Sequence, residues 1–183
     1  MANWARTGYV IEGDKDVLDK IEQACLHHDV KEGSSEDWEG NVLIALGINE
    51  WDSDYYMRGF IDECRRDGEN ELYIGAEEAY ETTDFRRVLT EHFDVDIYFI
   101  TEEPSCAVYL TNDAEGKYFF ERYVVDSRIH DDWYYDYFTT KEAAFEYIKN
   151  ISNGKVTNQE ELDAFNQEGD NDYIWFNEFE IVE

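Results

Sequence analysis

From Glu12 to Glu183 acidic side chains are interleaved with apolar ones, and they gather into no tail or tract. A chain patterned in this way folds only by turning one side of each element inward and leaving the other in water. The demand is severe here: 45 Asp and Glu stand against 15 Lys and Arg among 183 residues, a formal charge of −30. Chains this acidic are commonly disordered, because too little of them can be buried. With 43% hydrophobic and 16% aromatic residues, this one has ample core material. A folded body with a strongly anionic exterior is the expectation.

How anionic can be sized. The area–mass relation gives a folded chain of 21.7 kDa roughly 9,200 Å² of surface, or about 300 Å² per net charge. Duplex DNA, with one charge per about 1.7 Å of axis, carries one per roughly 100 Å². Imitating a phosphate backbone therefore requires carboxylates gathered on one face. Such a surface repels both nucleic acid and anionic lipid, which disfavours direct DNA-binding and membrane roles. No apolar stretch reaches the length of a membrane span, and no apolar segment follows Met1-Ala2-Asn3-Trp4-Ala5-Arg6, so no signal peptide is expected. Cys25, Cys64 and Cys106 are odd in number and share no C-x-x-C spacing, which reads as reduced, buried thiols of a cytoplasmic protein.

Periodicity predicts an α+β fold with a largely antiparallel sheet. Strands are expected at Tyr9–Ile11, Asn41–Leu46, Glu71–Ala76, Val95–Thr101, Trp133–Phe138 and Tyr173–Val182, the last as an alternating aromatic strand. Helices are expected after Asp14 (Val17, Leu18, Ile21, Cys25 and His28 at helical spacing), over Asp54–Arg66 and over Thr83–His92. Two more follow the capping-box pairs Thr139/Glu142 and Thr157/Glu160. Cys106–Thr111 and Lys117–Val125 read as a hairpin with the five-residue loop Asn112–Gly116. With a single proline and no Gly- or Ser-rich linker, one domain is expected: a β-α-β core over about 1–126 and a β-α-α-β elaboration over about 127–183.

The opening Met1-Ala2-Asn3-Trp4, then Val10-Ile11-Glu12-Gly13 running into a helix, resembles a plasmid- and phage-borne family of ferredoxin-like domains of unknown function. The segments Tyr73-Ile74-Gly75-Ala76-Glu77-Glu78-Ala79-Tyr80, Ile97-Tyr98-Phe99 and Gly116-Lys117-Tyr118-Phe119-Phe120-Glu121-Arg122-Tyr123 are similar to it as well. Glu81-Thr82-Thr83 stands where that family often has a Trp-Pro-Pro-like stretch. The resemblance implies a ferredoxin-like core and a mobile-element setting, and it implies no catalytic residues.

The chemistry-bearing groups are weighed singly. Asp52-Ser53-Asp54-Tyr55-Tyr56 places Tyr and Arg58 where an EF-hand needs ligands, and Asp113-Ala114-Glu115-Gly116 has its glycine too early. His27-His28-Asp29 and His130-Asp131-Asp132 offer two short clusters where zinc needs three or four converging ligands, and His28 and His92 fall on apolar helix sides, as core histidines do. Nucleophile elbow, phosphate loop and dinucleotide fingerprint are all lacking from the sequence. No metal and no cofactor are expected. The carboxylate clusters Asp67-Glu69-Glu71, Glu77-Glu78-Glu81, Asp131-Asp132-Asp136 and Asp170-Asp172 read as solvated faces, and from them Glu77, Glu78, Glu81, Asp131, Asp132, Asp136, Asp170 and Asp172 are the candidate partner-binding residues.

Trp133-Tyr134-Tyr135-Asp136-Tyr137-Phe138 is the densest aromatic run, and as a strand it is aromatic on both faces. That predicts a central strand, or one whose outer face is covered, with a Tyr/Trp protein-binding patch as the competing reading. Taken together, the sequence points to a non-enzymatic acidic interaction protein of a phage or mobile element. Its expected role is to mimic nucleic acid and block a basic nucleic-acid-binding protein, as anti-restriction and anti-CRISPR inhibitors do. Two alternatives stand beside it: a soluble domain whose acidity serves solubility or halophilic adaptation, and a carboxylate- or metal-dependent hydrolase.

Overall fold

A computed structural model describes residues 4–48, 55–79, 84–168 and 172–182. It is α+β with antiparallel sheets, and the chain packs as two compact units, 1–113 with 182–183 and 114–181. Asp126, expected to end the first part, lies in mid-strand in the second unit.

In the first unit β1 (Trp4–Gly13) leads into α1 (Lys15–Leu26) and α2 (Glu39–Ala45), then β2 (Gly59–Arg66), β3 (Glu71–Ala79), α3 (Phe85–His92), β4 (Val95–Glu103) and the short β5 (Val108–Thr111). Strands lie in the order β2-β3-β1-β4-β5, and every pair with a resolved register is antiparallel. In chain order the unit runs β-α-α-β-β-α-β-β, against the expected β-α-β core with a strand at 41–46 and a helix at 54–66. At its end the chain comes back to this unit, where the Val182 N–H donates to the Thr111 carbonyl (2.8 Å).

One face of the sheet carries the core. Tyr9 and Ile11 of β1, Leu72, Ile74 and Ala76 of β3, and Ile97 and Phe99 of β4 pack against Leu18 and Ile21 of α1, Val42 and Leu43 of α2, and Phe85, Val88 and Leu89 of α3. In α1 and α3 the buried positions recur at helical spacing, so each buries one stripe, whereas the short α2 is buried over Glu39–Leu43.

Two expected elements exchange type. Asn41–Leu46 belongs to a helix, and Gly47, expected to bound a strand, is its left-handed stop (φ 79°). There the Gly47 N–H reaches the Ile44 carbonyl and the Ile48 N–H the Leu43 carbonyl (2.9 Å each), a Schellman cap. Conversely, the helix expected over Asp54–Arg66 gives way to strand β2 from Gly59, and Asp54 lies outside the described residues. Its pairing with β3 slips between Ile61 and Glu63, leaving Asp62 as a bulge. The extra residue puts Ile61 and Cys64, three apart, on the same core, a spacing that imitates a helix.

The second unit holds β6 (Tyr123–Ile129), β7 (Asp132–Phe138), α4 (Lys141–Ile151), α5 (Gln159–Glu168) and β8 (Tyr173–Glu178), with a two-residue strand, β9 (Glu180–Ile181), after them. β6 is central in the order β7-β6-β8, both pairings antiparallel. Val125, Ile129 and Ile174 of the sheet meet Ala144 and Ile148 of α4 and Leu162 of α5 in the core. Each helix is capped one residue later than expected. Thr140 accepts the Ala143 N–H (3.2 Å), and Asn158 accepts the Glu161 N–H (3.0 Å) while the Glu161 carboxylate holds the Thr157 N–H and hydroxyl (2.7 Å each).

The hairpin expected between 106–111 and 117–125 is not formed: β5 pairs with β4, and β6 with β7 and β8. Asn112 ends β5 by imitating a further strand residue. Its Oδ1 accepts the Phe99 N–H (2.7 Å) and its Nδ2 donates to the Ile97 carbonyl (2.8 Å). Beyond it the loop folds around the Arg122 guanidinium, which donates to the carbonyls of Phe119 (2.8 Å) and Glu121 (2.9 Å). The real hairpin is β6–β7, with Ile129 opposite Asp132 and only His130-Asp131 between.

Both turn residues have positive φ (53° and 71°), a type I′ geometry that favours Asn-Gly. Left-handed backbone costs a non-glycine residue about 1–2 kcal/mol, and the exposed Arg128–Asp131 ion pair returns at most about 1. Asp131→Gly is therefore expected to stabilise the protein by about 0.5–1 kcal/mol, read as a higher urea midpoint at unchanged slope.

Candidate functional site

Strand alternation sorts the second sheet into two faces. Val125, Ser127 and Ile129 of β6 turn to the helices and are buried, which sends Asp126 and Arg128 to the other side. Tyr134 and Phe138 of β7, with Ile174 and Phe176 of β8, pack on the helix side. The opposite face receives Trp133, Tyr135 and Tyr137 from β7 and Tyr173 and Trp175 from β8. It is open: Trp133 is 67% exposed, Trp175 52%, Tyr137 43% and Tyr135 38%. β7 is also an edge strand, so the expectation of a central or covered strand is overturned. Its outer rings are surface.

Register arranges this face in rows. Arg128 lies between Trp133 and Tyr173, and Asp126 between Tyr135 and Trp175. The rings touch along and across the strands: Tyr173 stacks on Trp175 (centroids 4.3 Å apart), Trp133 meets Tyr173 edge-on (6.0 Å) and Tyr135 meets Tyr137 (5.5 Å). The Arg128 guanidinium sits 5.6 Å from the Trp133 ring centre and pairs with Asp131 (2.6 Å). Half-buried among rings, the Asp126 carboxyl is pushed above its usual range by desolvation.

The candidate acidic residues do not form one site. Glu81 and Asp170 lie outside the described residues. Glu77 is exposed on β3, cross-strand from Arg6 and Phe60, in the first unit. Glu78 is buried (1% exposed) and accepts the Tyr9 hydroxyl, so it is no partner-binding surface: its position faces the helices, as Ile74 and Ala76 do. Asp131 and Asp172 do converge at the β6–β7 turn, but on internal work. Asp131 holds Arg128, and Asp172 accepts the His130 N–H (2.9 Å). Asp132 is exposed beside them. Asp136, on the helix-facing side, accepts the Tyr147 hydroxyl. Sequence reasoning missed Asp126 and Trp175. The alternating aromatic strand after Tyr173 was a signal for the second, whereas Asp126 was hidden by the misplaced hairpin.

His28, His92 and the three cysteines lie in the first unit. The His28 ring bridges the Ala24 and Glu36 carbonyls (2.8 Å each), and His92 is exposed at its helix end. Neither is a core histidine. Cys106 is exposed, against expectation; Cys25 and Cys64 share a hydrogen bond that, with burial, raises the Cys25 thiol well above its usual range. Among the described residues no group of three or more His, Cys, Asp or Glu is placed to hold a metal ion, and no helix is long and apolar enough to cross a membrane.

Among the described residues four carboxylates are interior: Glu39, Glu78, Glu103 and Asp113 are at most 2% exposed. They shape their neighbours. Burial, then Glu78, then Glu39 hold the Tyr9 phenol far above its ordinary value. A phenol raised in the folded state contributes stability that is whole below the unfolded value of about 10 and falls as pH climbs past it. Tyr9→Phe is expected to cost about 1.5–3 kcal/mol at pH 7, where Glu78 loses a donor, and to flatten the decline above pH ~10. Urea unfolding at pH 7 and pH 11 checks both.

Compared with protein-family models, with curated proteins and with solved structures, the chain matches none.

Proposed function

We propose that this is a non-catalytic acidic decoy: a cytoplasmic protein of a phage or mobile element that engages a basic nucleic-acid-binding protein and keeps nucleic acid from it. The observation that carries this reading is the charge on a well-folded body. An accessible surface of 10415 Å² with a net −30 leaves one uncompensated negative charge per about 350 Å². That figure already counts all 15 Lys and Arg, and many of them are engaged at home: Lys15 and Arg66 on Asp19, Arg65 on Glu63 and Asp67, Arg87 on Asp84 and Glu91, Arg128 on Asp131, Lys149 on Glu146. Such a field draws cationic surfaces in quickly and repels nucleic acid.

The exposed aromatic face supplies what the field lacks, namely short-range affinity in Tyr and Trp, the residues that dominate binding hot spots. On this reading the decoy is no phosphate-by-phosphate replica, since the acids at the hairpin tip are committed internally. It competes by charge and by one aromatic patch, with no turnover.

A labelled duplex held by a basic DNA-binding protein should be displaced by this protein at about 50 mM salt, with the displacing concentration rising tenfold or more by about 200 mM. Fluorescence anisotropy reads this directly. Failure to displace at 50 mM, where polyglutamate of equal charge succeeds, would sink the reading.

A further inference from the structure

We infer that the open face of the second sheet is the docking surface for a basic protein, and that the row Tyr135–Asp126–Trp175 receives an Arg or Lys side chain from it. This rests on the decoy reading and names the place where the partner is held.

Three observations converge on that row. The first is chemistry. Asp126 makes no hydrogen bond and no ion pair among the described residues, although Arg128 is two positions along the same strand and face. Its carboxylate is therefore left available to an incoming cation. The second is geometry. β7 and β8 flank β6, so their lines of Cα atoms are two strand spacings apart, about 9.6 Å. A cation seated over Asp126 lies within about 6 Å of rings on both sides, the range in which a cation is attracted to an aromatic face. The third is precedent in the adjacent row, where Arg128 is paired with Asp131 against Trp133. The Asp126 row has the carboxylate and the rings; the cation comes from the partner.

Charge excludes the other obvious occupants. A second copy would bring −30 against −30 and set one Asp126 near another. Nucleic acid could stack on the rings but is repelled by the field.

The test uses the full chain and a dodecapeptide of alternating Arg and Gly, with calorimetry for affinity and tryptophan emission for location. At 150 mM salt Asp126→Asn and Trp175→Ala are each expected to weaken binding about tenfold, because one removes the ion pair and the other a wall. Asp16→Asn, which removes the same charge from an exposed position on α1, should change it less than twofold. Unchanged circular dichroism melts would show that all three variants fold. Equal losses in Asp126→Asn and Asp16→Asn overturn the inference, since only total charge would then matter. So does cellohexaose quenching the emission where the peptide does not, or a dimer in sedimentation that buries the face. If wild type displaces DNA from a basic protein and both face variants do so equally well, this site is wrong and the decoy reading stands. If the peptide binds through Asp126 while DNA is never displaced, the site stands and the decoy reading falls.

Discussion

Carboxylates must stay in water or find a donor, and that single constraint organises this molecule. A chain with 45 acids cannot wrap a core on all sides with apolar elements, because no element is apolar all round. It builds two-layer units instead, each a sheet with helices on one face. The first sheet meets the constraint with acids: register puts Glu12 between Glu71 and Asp96 at one end, and Arg6 between Glu77 and Glu102 at the other. Like charges directly opposite cost something, and opposite ones return a similar amount, about 0.2–1 kcal/mol per pair. Glu78 goes inside, and there a donor from β1 is waiting at Tyr9.

Against that rule the outer face of the second sheet stands out. Its exposed positions are Trp and Tyr in a chain with acids to spare, and the one acid among them, Asp126, is set where rings strip its water. Nothing in folding asks for this. An exposed Trp133 contributes little to stability, and an aromatic edge strand invites unwanted pairing, held off here by Asp132 and Asp136 on β7. On the function proposed above, such a face serves binding.

Much of this was legible in the sequence, and the failures have physical causes. Helical periodicity in Leu18–Ile21 and Val88–Leu89 survived folding because each helix buries one stripe. Alternation in Val95–Thr101 survived because β4 pairs with β1 in unbroken register and buries every second residue from Ile97. β2 was misread because the Asp62 bulge gives Ile61 and Cys64 a helical interval, and α2 because Gly47 stops a helix and a strand with the same letter. The hairpin was misplaced because His130-Asp131 adopts a glycine-type turn without glycine, while Asn112–Gly116, rich in turn residues, wraps a guanidinium. Composition carried the charge but not its disposition: no periodicity says that Glu78 is buried or that Asp136 answers Tyr147.

The protein's own arginines supply the last step. Arg65 lies 3.8 Å over Tyr73 and pairs with Glu63 and Asp67; Arg87 lies 5.3 Å from Tyr55 and pairs with Asp84 and Glu91; Arg128 repeats the pattern with Trp133 and Asp131. In each, a ring takes one face of the guanidinium while carboxylates take its edge, two attractions that do not compete for the same hydrogens. Tyr135, Asp126 and Trp175 offer that same arrangement on an exposed surface. The protein's own arginines are held in this way, and its open face presents the same environment to an arginine from outside.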